Sequence, residues 1–285
     1  MSTMQRLAQL GVASVAVLAV TACGSQASTP DGDTAAAEQP NVLALLASDA
    51  TGSLQRTVET TGKAESVTVT MTGTSEGETV DMSGVIKLGD SPMAELSTTD
   101  PEDGKITIIM VGSAFYVSIP EADQASMEGK KWFKMDLASL GQSSDEDLAK
   151  QLEDMDPVKS VQTLLDGGDV TVVGEETIDG VPTVHYTSTT PVEAYLGHLD
   201  AELRDGVQEQ LATAGVTEIV SDVWVDEQYQ PRRVKLVMGE LSDMTINYTD
   251  YGKPVSIAEP SAEETLDFAE MIAEMQDLIA EVEES

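Results

Sequence analysis

Along this chain the spacing of apolar residues switches between a helical period and a strand period, and the switches mark out its elements. Leu43, Leu46, Ala47, Ala50, Leu54 and Val58 fall on one helical stripe, with Asn41 placed as its N-cap and Gly62 as its stop. From Ser66 the period becomes two: Val67, Val69 and Met71 alternate with Ser66, Thr68, Thr70 and Thr72, the pattern of a strand with one dry and one wet face. Alternation returns over Val80–Leu88, Met93–Thr98, Lys105–Val111, Ala114–Ile119 and Trp132–Asp136. The turns between them, at Gly89 with Asp90 and at Gly112 with Ser113, are too short for a parallel crossover and predict antiparallel neighbours.

Helical spacing then reappears over Asp145–Glu153, and again from Asp156 and Pro157 through Val161, Leu164 and Leu165 to the stop at Gly167 and Gly168. Val170–Ile178 and Val181–Thr189 flank an Asp179–Gly180 turn, a strong hairpin signal. Thr190, Pro191 and Glu193 read as a capping box that opens a helix with Tyr195, Leu196, Leu199, Leu203 and Leu211 on one face. Strands follow over Glu218–Asp226, Arg232–Met238 and Met244–Tyr248. At the end, Ser261 and Glu264 read as a second capping box, opening an acidic amphipathic helix over 259–285 in which Phe268, Ile272, Met275, Ile279 and Val282 share a stripe. Many strands and a few helices make an α+β chain.

The first forty residues belong to another regime. Arg6 and the apolar run Leu7–Val20 lead into Val20, Thr21, Ala22 and Cys23, followed by Gly24 and Ser25. This is a secretory signal ending in a bacterial lipobox. Residues 1–22 are then the signal peptide, and 23–40 a lipidated Cys23 with a Gly-, Ser-, Ala-, Thr- and Pro-containing tether reaching roughly 20–25 Å. Cys23 is the sole cysteine, so no disulfide forms within the chain and its thiol is free for lipidation, palmitate included. Two or three acyl chains hold a protein on a membrane where one does so only marginally. The expected location is the extracytoplasmic face of the cell membrane.

Composition narrows the partners. Fifty-one acidic against 15 basic residues give a net charge of −36, which removes nucleic acid as a partner. The chemistry-bearing patterns are thin. Gly73, Thr74, Ser75, Glu76 and Gly77 match G-x-S-x-G, yet alternation continues at Glu78–Leu88 where a nucleophile elbow needs a helix. A polar hairpin loop is the better reading. His185 and His198 are the only histidines, the acidic runs lack calcium-loop spacing, and no phosphate or dinucleotide fingerprint occurs. No enzyme, cofactor or metal site is expected.

What is left is the dry face of the sheet, on which Val69, Met71, Met82, Ile86, Ile108, Met110, Val117 and Met135 are the candidate residues for lining an apolar cavity. Methionine's flexible thioether suits a surface that repacks around acyl chains, although the same residues serve equally as gap-fillers in an ordinary core. A one-residue slip of register would turn each strand's set to the other face.

The lipobox at Cys23, the Ile178, Asp179, Gly180, Val181, Pro182 to His185, Tyr186 hairpin, the Trp224, Val225, Asp226 to Pro231, Arg232, Arg233, Val234 hairpin and the Tyr248 to Val255 ending together resemble the LppX/LprAFG family of actinobacterial lipoproteins, relatives of the LolA-like lipid carriers. The resemblance implies a curved antiparallel half-barrel over 41–258, with helices packed across its concave face and a cavity for acyl chains. The implied function is a membrane-anchored envelope lipoprotein that binds and carries lipids. A ligand-sensing or structural lipoprotein without lipid transfer is the alternative, and a protein partner is not specified. The acidic helix after Ser261 has no place in the family pattern.

Overall fold

The structure, a computed structural model, describes residues 41–89, 91–101, 104–136, 155–197 and 201–271. The lipobox, the tether, the helix expected over Asp145–Glu153, His198, Leu199 and the end of the C-terminal helix lie outside the described residues.

Alternation becomes strand throughout. The first meander contains β1 (Ser66–Ser75), β2 (Glu78–Lys87), β3 (Met93–Asp100), β4 (Gly104–Val111), β5 (Ala114–Ser118) and β6 (Trp132–Asp136). A second contains β7 (Thr171–Ile178), β8 (Val181–Pro191), β9 (Glu218–Asp226), β10 (Pro231–Met238) and β11 (Ser242–Thr249). β1 pairs with β11, and β12 (Thr265–Asp267) adds beside β6, giving one twelve-stranded sheet in the order β12-β6-β5-β4-β3-β2-β1-β11-β10-β9-β8-β7. Every neighbouring pair is antiparallel except β12 with β6. The architecture is α+β, a large open curved antiparallel sheet with few helices.

Two glycines mark where neighbouring backbones crowd. A Cβ on Gly84 in β2 would fall inside the shell of the Glu95 carbonyl of β3, and one on Gly73 in β1 would meet the Asp243 carbonyl of β11. Glycine at such points lets a sheet bend without a side chain in the way. The Asp179–Gly180 hairpin closes with both turn residues at positive φ, 51° and 83°, as a type I′ turn requires. Glu76 and Gly77 do the same at 53° and 84°, so the G-x-S-x-G match is a hairpin turn.

Helices α1 (Val42–Ser48), α2 (Ala50–Thr61) and α4 (Pro157–Asp166) lie on one face, while α3 (Glu121–Gln124) is a single turn between β5 and β6. The expected helix over 41–62 is broken in two at Asp49, whose extended backbone caps α2 by accepting from Gly52 N at 3.0 Å. α1 packs on β7 and β8, and α4 on β9, β10 and α2. Leu43, Leu46, Leu54, Val161 and Leu164 from these helices meet Val67, Val69, Ile86, Leu96, Val184, Tyr186, Val223, Val225 and Tyr248 from the sheet in one buried core. Tyr186 donates its hydroxyl to the Leu46 carbonyl at 2.9 Å.

Two capping boxes are corrected. Thr190 and Pro191 continue β8, opposite Ile219 and Glu218, and the helices α5 (Val192–Gly197) and α6 (Ala201–Thr213) begin later. Proline is tolerated at a strand end, where its missing N–H costs no interior ladder bond. Ser261 does not open a helix either: Ala262–Glu264 is a 3-10 turn, Thr265–Asp267 pairs with β6, and helix begins at residue 268. β12 lies past residue 258, and Asp267, accepting from Ala269 N at 2.9 Å, caps the helical turn that follows it.

Leu46 is completely buried, whereas Leu45 beside it is 47% exposed. Leu46→Ala should lower unfolding free energy by about 2–5 kcal/mol in urea titrations, and Leu45→Ala by no more than about 0.5 kcal/mol. Equal losses would mean that α1 does not seal the core in this orientation.

Candidate functional site

In antiparallel strands, residues directly opposite one another share a face. Three rows of partners follow from this across the first meander. Val67, Ile86, Ala94, Met110, Phe115 and Met135 form one, and Val69, Gly84, Leu96, Ile108, Val117 and Phe133 form the next. Met71, Met82, Thr98 and Ile106 form the third. All eight residues proposed from the sequence thus stand on the same face as the helix-covered core.

Burial divides that face. Val69, Ile86 and Met110 are buried in the core, while Met71, Met82, Ile108, Val117 and Met135 are half-buried. Phe115 and Phe133, both half-buried, belong to the same apolar strip and were absent from the sequence-based set. Their signal was present: each stands two residues from a chosen position, Val117 or Met135, and so shares its face by simple alternation. No charged residue stands in the three rows.

The helix-covered half is filled. Its residues pack as a continuous core. Two hollows open elsewhere, one of about 400 Å³ against Gly206, Gln210, Thr213 and Leu241, the other of about 320 Å³ on the outer face of β2–β4 beside Ser83, Glu95, Ser97 and Lys105. Both are shallow, and the second also touches Gly84 and Thr98.

The outer face carries the polar chemistry. His185 stacks on Trp224 at 4.1 Å, with Nδ1 2.9 Å from Glu176 Oε1 and Nε2 2.9 Å from Asp222 Oδ1. Trp224 donates Nε1–H to Glu176 Oε2 at 2.8 Å. The indole donor chiefly, helped by His185 and the charge of Arg233 and opposed by partial burial, holds the Glu176 carboxyl below its ordinary range. The two carboxylates flank opposite edges of the ring, and among the described residues no three His, Cys, Asp or Glu side chains converge as a metal site. Ser75 lies on β1, four strands from His185 on β8, more than about 19 Å away in the plane of the sheet. These two cannot form a nucleophile and base pair.

Further along the outer face, the segment after β11 crosses to the opposite edge. Ile257 packs against Ile109, Ala114 and Tyr116, and Tyr116 donates its hydroxyl to Glu259. Burial first, and that carboxylate second, push the Tyr116 hydroxyl well above its ordinary range.

Because Glu176 is more acidic folded than unfolded, its contribution to stability is present above the ordinary carboxylate range and is lost as pH falls through the folded value. Urea midpoints of Glu176→Gln should lie below wild type at pH 7 and converge on it below about pH 4. A constant gap between the two proteins across that window would remove the carboxylate's role.

No family model matches the chain. It is 36% identical over 180 residues to an uncharacterized 31.2 kDa protein from the rplA–rplJ intergenic region of Streptomyces griseus, covering 60% of this chain and 59% of that one. A lipoprotein so named from Streptomyces coelicolor is 29% identical over 167 residues, 56% of this chain and 50% of that protein. The chain thus spans between half and three-fifths of the length of these relatives. Among solved structures it is similar to the Mycobacterium tuberculosis lipoprotein LppX, at 15% identity and a TM-score of 0.49, over 73% of this chain and 97% of that one.

Proposed function

We propose that this protein is an envelope lipoprotein, anchored through Cys23 at the extracytoplasmic face of the cell membrane, that binds the acyl chains of lipids on the inner face of its sheet. The observation that carries the reading is the apolar strip itself. Five strands, β2 to β6, contribute uncharged side chains to one face without interruption, and the strip is half-buried where the core beside it is sealed. Four strand steps of about 4.8 Å give a length of about 19 Å. An acyl chain spans about 15 Å, half the hydrocarbon core of a bilayer. Burial of such a chain stabilises a complex by about 25 cal/mol per Å² of apolar surface, less the cost of ordering it.

The lipobox supplies the anchor and the tether supplies reach, so the strip stays within a few nanometres of its lipid source. The acidic body repels anionic headgroups, which favours contact through the acyl chains of the anchor and of the ligand alone. Similarity to a named lipoprotein supports the anchor. A second reading, a sensing or structural lipoprotein that transfers nothing, is favoured by the filled core under α1, α2 and α4.

Native mass spectrometry of the Cys23→Ser chain should show copurified lipid, and the protein should take up the fluorescent fatty acid cis-parinaric acid saturably. Met82→Trp, which fills the strip, should weaken uptake about tenfold, or about 1.4 kcal/mol, with an unchanged circular dichroism spectrum. Neither copurified lipid nor uptake would overturn the reading. Uptake without movement of lipid between vesicles would select the sensing alternative over the carrier. In cells, Cys23→Ser should move the protein from the membrane to the soluble fraction; retention at the membrane would mean that another segment anchors it.

A further inference from the structure

α1 and β7 together form an uncharged edge on a strongly acidic body. The seven residues of α1, VLALLAS, include no ionisable side chain, and neither does Val170–Gly174 at the start of β7. Tyr186 of β8 joins the two elements: it donates its hydroxyl to the Leu46 carbonyl at 2.9 Å, and Val172 stands opposite it in the β7–β8 ladder. Leu45 and Val173 are the sequence neighbours of those contacts, and both face water, 47% and 54% exposed. Val173 is the extra residue of an irregularity between Val172 and Gly174, on the strand that ends the sheet.

We propose that this α1–β7 edge is the side on which the body rests against the surface of the bilayer that holds Cys23. The argument is one of chain length and charge. Only residues 24–40 separate Cys23 from Asn41, the N-cap of α1, and a coil of that length reaches about 20–25 Å. Contact of α1 with the bilayer is then intramolecular, at an effective concentration in roughly the millimolar range, so a small apolar surface suffices where it would not hold a free protein. Elsewhere the net charge of −36 opposes approach to headgroups. Here the acidic neighbours Asp49, Asp169 and Glu175 flank the two uncharged segments without interrupting them. An extra residue in an edge strand bends it away from regular pairing with another strand, which favours a fluid apolar surface over a second copy of the chain as the occupant.

This inference rests on the anchor at Cys23 and adds a contact of the body to those of the acyl chains. Its test supplies the anchor chemically, so the two readings fail separately. The mature chain, residues 23–285, is coupled through its single thiol to a maleimide lipid in phosphatidylcholine vesicles whose brominated acyl chains quench tryptophan. The emission added by Leu45→Trp and by Val173→Trp should be quenched at least about twofold more than that added by Thr72→Trp, at an exposed position on the outer face of β1. Val173→Glu combined with Leu45→Trp should bring the quenching back to the Thr72→Trp level, because a carboxylate is costly to take out of water. Quenching no greater than that of Thr72→Trp overturns the contact. So does quenching that survives Val173→Glu, which would assign it to tethering alone. Contact in the coupled chain, with Cys23→Ser still at the membrane in cells, would keep the docking edge and overturn the anchor reading, whereas absence of contact with Cys23→Ser released to the soluble fraction would keep the anchor and overturn the docking edge.

Discussion

The pairing of β1 with β11 is the constraint on which the rest of the molecule depends. Each meander is local, strand beside its sequence neighbour, but these two strands come from opposite ends of the folded body and join in a register running from Thr68 opposite Thr249 to Ser75 opposite Ser242. That register puts Val69 beside Tyr248 and Met71 beside Ile246, merging the dry faces of both meanders. A slip of one residue would oppose a dry face to a wet one along the whole junction. Tyr248 secures it: fully buried, it donates its hydroxyl to the Met155 carbonyl at 3.3 Å, just ahead of α4. Sheet junction and helix layer are therefore one cooperative unit, and the entropy of closing so long a loop must be met before either is stable.

Alternation made the strands legible because each is long and half-wet, so Thr and Ser mark one face as clearly as Val, Ile and Met mark the other. The same property made the candidate strip legible: once two residues on one strand are assigned, parity assigns the rest. What alternation could not supply was strand order at the β1–β11 seam, since nothing local in Thr68–Ser75 names Ser242–Thr249 as its partner. Three short signals also misled. Asp49 is an N-cap inside an apparently continuous helical stripe, Thr190 and Pro191 are drawn into β8 by pairing with β9, and Thr265–Asp267 is captured by the free edge of β6. At Asp49 the cap itself broke the stripe, whereas in the other two cases strand pairing outweighed a capping preference of about 1 kcal/mol.

The outer and inner faces divide the labour of a strongly acidic chain. Outside, carboxylates are placed where partners exist: Glu176 and Asp222 around His185, Asp243 on Lys235 at 3.1 Å, Asp267 on Lys134. Inside, the three rows carry no charge, and methionines at 71, 82, 110 and 135 take positions where a more rigid side chain would fix one shape. Met110 packs inside the sealed core, while Met71, Met82 and Met135 stand half-buried at its margin.

A hydrophobic surface does not discriminate strongly between coverings, because the driving force is non-directional and scales with area removed from water. On the inner face Met71, Met82, Ile108, Val117 and Met135 are half-buried beside a sealed core, so any covering gains only the area that these side chains still expose. Taking more means displacing contacts of the core itself, and a close-packed interior resists that. The net charge of −36 acts on the same balance near an anionic membrane, where repulsion disfavours any arrangement that presses the acidic body against headgroups.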